Sequence, residues 1–179
     1  MTNGSAIRQA LLACAACFLL AACEAGRDPC LQPQNVAVQL HFYQKAADTG
    51  STFRDTLLPN MLLNPLDNPA VYTVNGVKNV AAYTIRLSPL DDVCRWYLQP
   101  DSARPDRRDT ITFAYQRKLH FISNACGYTY YFNLSDVRPS GRVLGDTIHS
   151  IDSIVIADRE VNGDAGKEHL KIYFHNGNR

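Results

Sequence analysis

Thr110-Ile111-Thr112-Phe113-Ala114-Tyr115-Gln116-Arg117-Lys118-Leu119-His120-Phe121-Ile122 is built on a period of two. Ile111, Phe113, Tyr115, Leu119 and Phe121 share one parity, and Thr110, Thr112, Gln116, Lys118 and His120 share the other. Side chains of a β-strand alternate between faces, so this pattern predicts a long strand with one face buried and the other wetted. Asn124-Ala125-Cys126-Gly127 follows, with the Asn and Gly that a hairpin turn favours. Tyr128, Tyr130, Phe132 and Leu134 then resume the alternation, so a second strand returns beside the first and is expected to face the core with them.

The same period recurs on both sides of this hairpin. Val36, Val38, Leu40 and Phe42 alternate with Ala37, Gln39 and His41, and Tyr83, Ile85 and Leu87 alternate with Thr84 and Arg86. Val93 to Leu98 sets Cys94, Trp96 and Leu98 opposite Arg95, and two late strands are expected at Ile151 to Val161 and His169 to Phe174. Turn-type clusters punctuate them at Asn75-Gly76, Pro100-Asp101-Ser102, Pro139-Ser140-Gly141 and Asn162-Gly163-Asp164. No stretch has the 3.6-residue period of an amphipathic helix. The expectation is an all-β chain, an antiparallel β-sandwich of about seven strands. Leu57 to Asn68 reads as an irregular crossover whose apolar residues either cover one end of the core or form an exposed patch for a partner, the first being the favoured reading.

The chain opens differently. Met1 to Ala22 holds one cation, Arg8, and no acid, and it ends in 12 consecutive apolar residues, Leu11 to Ala22. A membrane-spanning helix needs about 20 residues, whereas a signal-peptide core needs roughly 7 to 15. Leu20-Ala21-Ala22-Cys23 resembles the lipobox of bacterial lipoproteins, where small residues admit the peptidase and the thiol accepts a diacylglyceryl group. The expected organisation is a cleaved signal peptide at 1–22, a lipidated N-terminus and tether at 23–34, and a single β-sandwich domain at 35–179. Glu24 stands where an Asp would favour inner-membrane retention, so the expected address is the outer membrane, on its periplasmic or cell-surface side.

Removing residues 1–22 leaves 157, enough for one domain with its own core. Without Arg8 the 18 basic residues become 17, equal to the 17 acids. A neutral chain with no basic run lacks the electrostatic footprint of a nucleic-acid binder, and Arg104-Pro105-Asp106-Arg107-Arg108-Asp109 is interrupted by acids and reads as a solvated turn. Cys14 and Cys17 leave with the signal peptide and Cys23 takes lipid, so Cys30, Cys94 and Cys126 remain. Export permits one bridge among them, and spacing leaves all three pairings open.

Tyr115 to Tyr128 and Glu168 to Phe174, with Asp28-Pro29-Cys30 and Ile85 to Leu90, resemble an uncharacterised lipoprotein family of Gram-negative bacteria, the domain of unknown function 6452. The resemblance implies an all-β lipoprotein and brings no enzymatic activity with it. It also implies that Cys30 pairs with Cys126, leaving Cys94 as a thiol. Such a bridge would close a 96-residue loop, for which the chain-entropy model gives roughly 4 to 5 kcal/mol.

Chemistry-bearing residues are sparse. His41, His120, His149, His169 and His175 include no i, i+4 pair, and His41, His120 and His169 fall at polar-parity positions where exposure is expected. There is no Gly-x-Ser-x-Gly, and Ser123 falls in a strand-end turn. Asp91-Asp92 and the group Asp152, Asp158, Glu160 lack the Asp-x-Asp-x-Asp-Gly pattern of a calcium loop and read as edge and turn charges. No catalytic residue, metal or cofactor is expected, and the chain is not expected to be an enzyme. Tyr97 and Tyr131 stand at off-core parity and are the candidate ligand-facing aromatics. The expected partners are the membrane, reached through the N-terminal lipid, and an envelope protein or glycan.

Overall fold

The computed structural model describes residues 30, 36–45, 53–67, 74–140, 149–164 and 166–175. Among them every regular element is a strand. In chain order these are β1 (Val38–Lys45), β2 (Phe53–Asp55), β3 (Met61–Pro65), β4 (Val74–Val77), β5 (Ala82–Ile85), β6 (Val93–Gln99), β7 (Asp109–Ser123), β8 (Gly127–Pro139), β9 (Ile151–Ile156), β10 (Glu160–Val161) and β11 (Leu170–Phe174). They form a sandwich of two sheets. One runs β2-β1-β11-β9 with β5 also paired to β1, and the other runs β10-β8-β7-β6-β3-β4.

Alternation determines which face of each strand is buried. In β1 the core residues are Val38, Leu40 and Phe42, all but fully buried, and in β11 they are Leu170, Ile172 and Phe174. Leu40 lies opposite Leu170 and Phe42 opposite Ile172, and the Phe42 and Phe174 rings meet at 6.0 Å. The facing sheet contributes Met61, Leu63, Trp96, Leu98, Ile111, Phe113, Phe132 and Leu134 to the same core. Each large apolar side chain so buried is worth about 1.5–3 kcal/mol relative to exposure.

The sandwich departs from expectation in several places. β1 and β11 pair in parallel, so the architecture is not antiparallel throughout. They are the first and last strands among the described residues, and the chain between them gives ample length for the crossover a parallel pair needs. Strands also outnumber the expected seven. Of the segment Leu57 to Asn68, Asn68 lies outside the described residues and the rest is not an irregular crossover: Met61 and Leu63 are fully buried on β3, which pairs with β6 on one side and β4 on the other. Leu58 is buried too, and only Leu57 and Leu66 flank the strand as exposed leucines.

Asn75-Gly76 lies inside β4, not in a turn between strands. The β3–β4 register slips between Met61–Val77 and Leu63–Val74, and Gly76 takes φ +70° at that bulge. Ile151 to Val161 is two strands. The segment at 157–159 carries the chain from β9 in one sheet to β10 in the other, and the Asp158 carboxylate accepts the Glu160 N–H at 2.8 Å to fix the turn.

The largest departure concerns the β7–β8 hairpin. Alternating burial holds through Ile111, Phe113 and Tyr115 and then stops. Leu119 and Phe121, expected in the core, are exposed, as are Tyr128 and Tyr130 on the return strand. β6 pairs with β7 only as far as Ala114, and β10 pairs with β8 only at Phe132 and Asn133. Among the described residues the rest of the hairpin therefore has no strand beside it.

Residues 122–127 at the hairpin tip and Cys30 form one compact unit, and the remaining described residues form the sandwich. Residues 1–22 and Cys23 lie outside the described residues.

Candidate functional site

Cys30 and Cys126 are joined in a disulfide, with Cα atoms 4.8 Å apart. Cys126 stands in the turn between β7 and β8, where its N–H bonds to the Ser123 hydroxyl at 3.1 Å and Gly127 turns the chain at φ +71°. Cys94 keeps its thiol, buried on the core face of β6. Burial pushes this thiol above its ordinary range, and the neighbouring Tyr115 hydroxyl offsets only part of that effect. Tyr115 is itself held far above the usual phenol range, chiefly by burial, and its hydroxyl donates to the Ser88 carbonyl at 2.9 Å.

The two candidate aromatics are not brought together. Tyr97 is half-buried on β6, opposite Asn64 of β3 and Thr110 of β7, and its hydroxyl donates to Gln99 Oε1 at 2.9 Å. Tyr131 is half-buried on β8, packs against the core and stacks on His120, with ring centroids 4.1 Å apart and planes inclined by 16°. Thr110 and His120 are ten residues apart on one strand, which corresponds to about 33 Å. Tyr131 borders an open groove of about 610 Å³ formed by residues 116–118 of β7, 131–133 of β8 and 160–162 at β10. The groove carries Lys118 and Glu160 beside the phenol, so it offers a hydrogen-bonding ring with both signs of charge.

A second aromatic cluster was not singled out from the sequence. On the outer face of the five-stranded sheet Tyr43 is the register partner of Tyr173, with centroids at 5.5 Å, and Phe53 meets Tyr173 at 4.4 Å. The Lys171 ammonium sits 5.7 Å from the Tyr43 ring centre, and the Tyr43 hydroxyl donates to Glu168 at 2.7 Å. That hydrogen bond, helped by burial, pushes the Tyr43 phenol up to about 12. Parity could have found this pair, since Tyr43 and Tyr173 alternate with Phe42 and Phe174.

The histidines are dispersed. His41 lies 3.8 Å from Glu168, His175 3.4 Å from Asp152, and His149 Nδ1 2.8 Å from Asp109. His169 is fully buried, contrary to its expected exposure. Its Nδ1 accepts the Gln39 N–H at 3.1 Å, while its backbone exchanges further bonds with Gln39 and Ala157. This makes it a splice between β1 and the 157–159 turn. Its Nε2 is buried with no hydrogen-bond partner of normal geometry. Burial lowers His169 below the usual imidazole range, with the Glu160 backbone opposing part of that shift. Among the described residues no three His, Cys, Asp or Glu side chains come together to hold a metal ion.

Most of the acids have structural partners. Asp92 pairs with Arg117 at 2.7 Å, Asp91 accepts from Ser88, and Asp158 pairs with Lys167 at 3.0 Å. The Glu160 N–H first, and Lys167 next, hold the Asp158 carboxyl below its usual range. Asp109 is not part of a solvated turn. It is buried at the start of β7, where its carboxylate accepts the N–H groups of Ser150 and Ile151 at 2.7 and 3.1 Å. This fixes the entry to β9 against β7, a role that no spacing signal announced.

No curated protein and no solved structure matches the chain. A family model matches residues 67–174, more than half of the chain and every strand from β4 to β11. The chain belongs to that family, described as a family of unknown function, DUF6452.

Proposed function

We propose that this protein is a lipoprotein of the bacterial cell envelope, acylated at Cys23, whose β-sandwich binds or supports another envelope component without catalysis. The observation that carries the proposal is Leu20-Ala21-Ala22-Cys23, placed at the end of a short apolar run and before the polar segment Glu24 to Pro29. The Cys30–Cys126 bridge supports it, because a structural disulfide belongs to an oxidising compartment that only an exported chain reaches. Several acyl chains at about 0.8 kcal/mol per buried methylene would hold the domain at the bilayer until proteolysis released it.

The test is metabolic labelling with an alkyne fatty acid in a Gram-negative host, on the wild type and on Cys23→Ser. The wild type takes the label and fractionates with the outer membrane, while Cys23→Ser stays unlabelled. An unlabelled wild type refutes the anchor. Crosslinking in intact cells that captures no specific envelope partner refutes the binding role.

A second reading, a sandwich that binds a carbohydrate or another small ligand, is favoured by the Tyr131 ring bordering the open groove at β10. A thermal-shift screen against envelope glycans, with Tyr131→Ala as the comparison, decides it. A shift in the wild type that Tyr131→Ala abolishes supports the reading, and silence across the screen removes it.

A further inference from the structure

The distal half of the β7–β8 hairpin displays side chains that a domain in water ordinarily hides. Leu119, Phe121, Tyr128 and Tyr130 are 56%, 48%, 64% and 37% exposed. Phe121 and Tyr128 touch, with ring centroids 5.1 Å apart, so the apolar surface is continuous across the two strands. Contiguous exposed apolar surface marks a contact face, and the question is what covers it.

Three observations select a lipid surface. The first is covalent: Cys126 stands two residues before Tyr128 and is bonded to Cys30. Cys30 is seven residues from Cys23, which a fully extended chain spans in at most about 25 Å. The second is charge. From Thr110 through Ser135 the chain has no Asp or Glu, although the whole sequence has 17. Arg117, which shares the parity of Leu119 and Phe121, is matched by Asp92 at the root of the hairpin, and Lys118 falls on the opposite face, in the groove with Tyr131. The third is residue type: tyrosine concentrates at membrane–water interfaces, and phenylalanine and leucine form the apolar side of interfacial segments, so the rings enter the acyl boundary while the phenol oxygens stay among headgroups.

We infer that this face of the hairpin rests on the headgroup layer of the bilayer holding the Cys23 lipid, with Leu119, Phe121, Tyr128 and Tyr130 at the interface. The inference rests on the lipid anchor proposed above. It deepens that reading, because the domain then has a defined orientation at the membrane and does not swing on a tether. The ends of the sandwich remote from the hairpin are left to meet a partner.

The experiment uses the full, processed chain reconstituted into vesicles of phosphatidylethanolamine and phosphatidylglycerol with brominated acyl chains. Trp96 is the single native tryptophan and is buried, so it gives a constant background. Tyr128→Trp and, separately, Phe121→Trp report on the hairpin, and Val155→Trp, exposed on β9 of the other sheet, is the control. The expected result is fluorescence loss in brominated vesicles at positions 128 and 121 and none at 155.

Mass spectrometry of the same samples reads the lipid on Cys23 independently. A lipidated chain with no quenching at 128 and 121 overturns the hairpin contact and leaves the anchor standing. Quenching of a chain with no lipid retains the contact and overturns the anchor. A blue-shifted but unquenched signal, with crosslinks to another protein or a second copy, assigns the face to protein and overturns the inference.

Discussion

Replacing Cys30 and Cys126 together by serine removes a single cross-link and leaves the sandwich core intact. The bridge closes a 96-residue loop, and the chain-entropy model puts the lost stabilisation at about 4.7 kcal/mol for that length. For a chain of 157 residues, the length left by the proposed cleavage before Cys23, at about 2–4 °C per kcal/mol, the melting temperature falls by about 9 to 19 °C. Urea unfolding of the wild type and of Cys30→Ser/Cys126→Ser, followed by circular dichroism with and without a reductant that reaches the bridge, measures it. Reduced wild type should unfold with the double variant, and reductant should leave the double variant where it was. Cys94, buried and with a raised thiol pKa, should react with a thiol reagent only on unfolding in every case. A double variant within about 1 kcal/mol of the oxidised wild type refutes the reasoning, as does recovery of Cys94 in a disulfide-linked peptide.

Asp109→Ala strands the Ser150 and Ile151 N–H groups in a buried site, and should cost about 2–4 kcal/mol in urea unfolding; a loss below about 0.5 kcal/mol contradicts that role. Because the pKa of His169 is lowered in the folded state, the unfolded chain takes up the proton first as pH falls below about 6.5. Its stabilising contribution is complete above that pH and is lost on descent toward the folded value. The urea midpoint should therefore fall between pH 7 and pH 5, and His169→Asn, which keeps an acceptor for the Gln39 N–H, should flatten the slope; an unchanged slope rules His169 out as its source. At Gly76, with φ +70° and space for a Cβ only 3.2 Å from Asn60 Oδ1, Gly76→Ala should lose about 1–2 kcal/mol, and a neutral or stabilising result would contradict the bulge.

Strand alternation was legible in β1, in β6 and in the first half of β7 because each has both neighbours and an opposing sheet, so parity and burial coincide. It misled at Leu119, Phe121, Tyr128 and Tyr130 because a period of two reports that a strand has two faces, not that anything covers them. β3 was hidden by Pro59, Asn64 and Pro65, which read as loop chemistry, although Met61 and Leu63 alternate into the core. The β9–β10 break is hidden because Ala157-Asp158-Arg159 holds no Gly, Pro or Asn to mark a turn. Asp109 falls in a charged cluster that reads as a solvated turn, and His169 falls at a polar-parity strand position, so both are expected in solvent. Their burial depends on backbone N–H groups contributed from residues 150, 151 and 39, far away in sequence. The pairing of Cys30 with Cys126 came from family resemblance, since spacing left three choices open. Tyr97 and Tyr131 were found as half-buried aromatics, but their separation of about 33 Å follows from register that single-strand periodicity does not carry.

The central claim concerns Cys23, and the N-terminal peptide of the membrane-extracted protein tests it most directly. Mass spectrometry should find a peptide that begins at Cys23 and carries the mass of a diacylglyceryl group and its acyl chains. A peptide that retains Ala22, or one that begins at residue 23 with an unmodified thiol, would contradict the account.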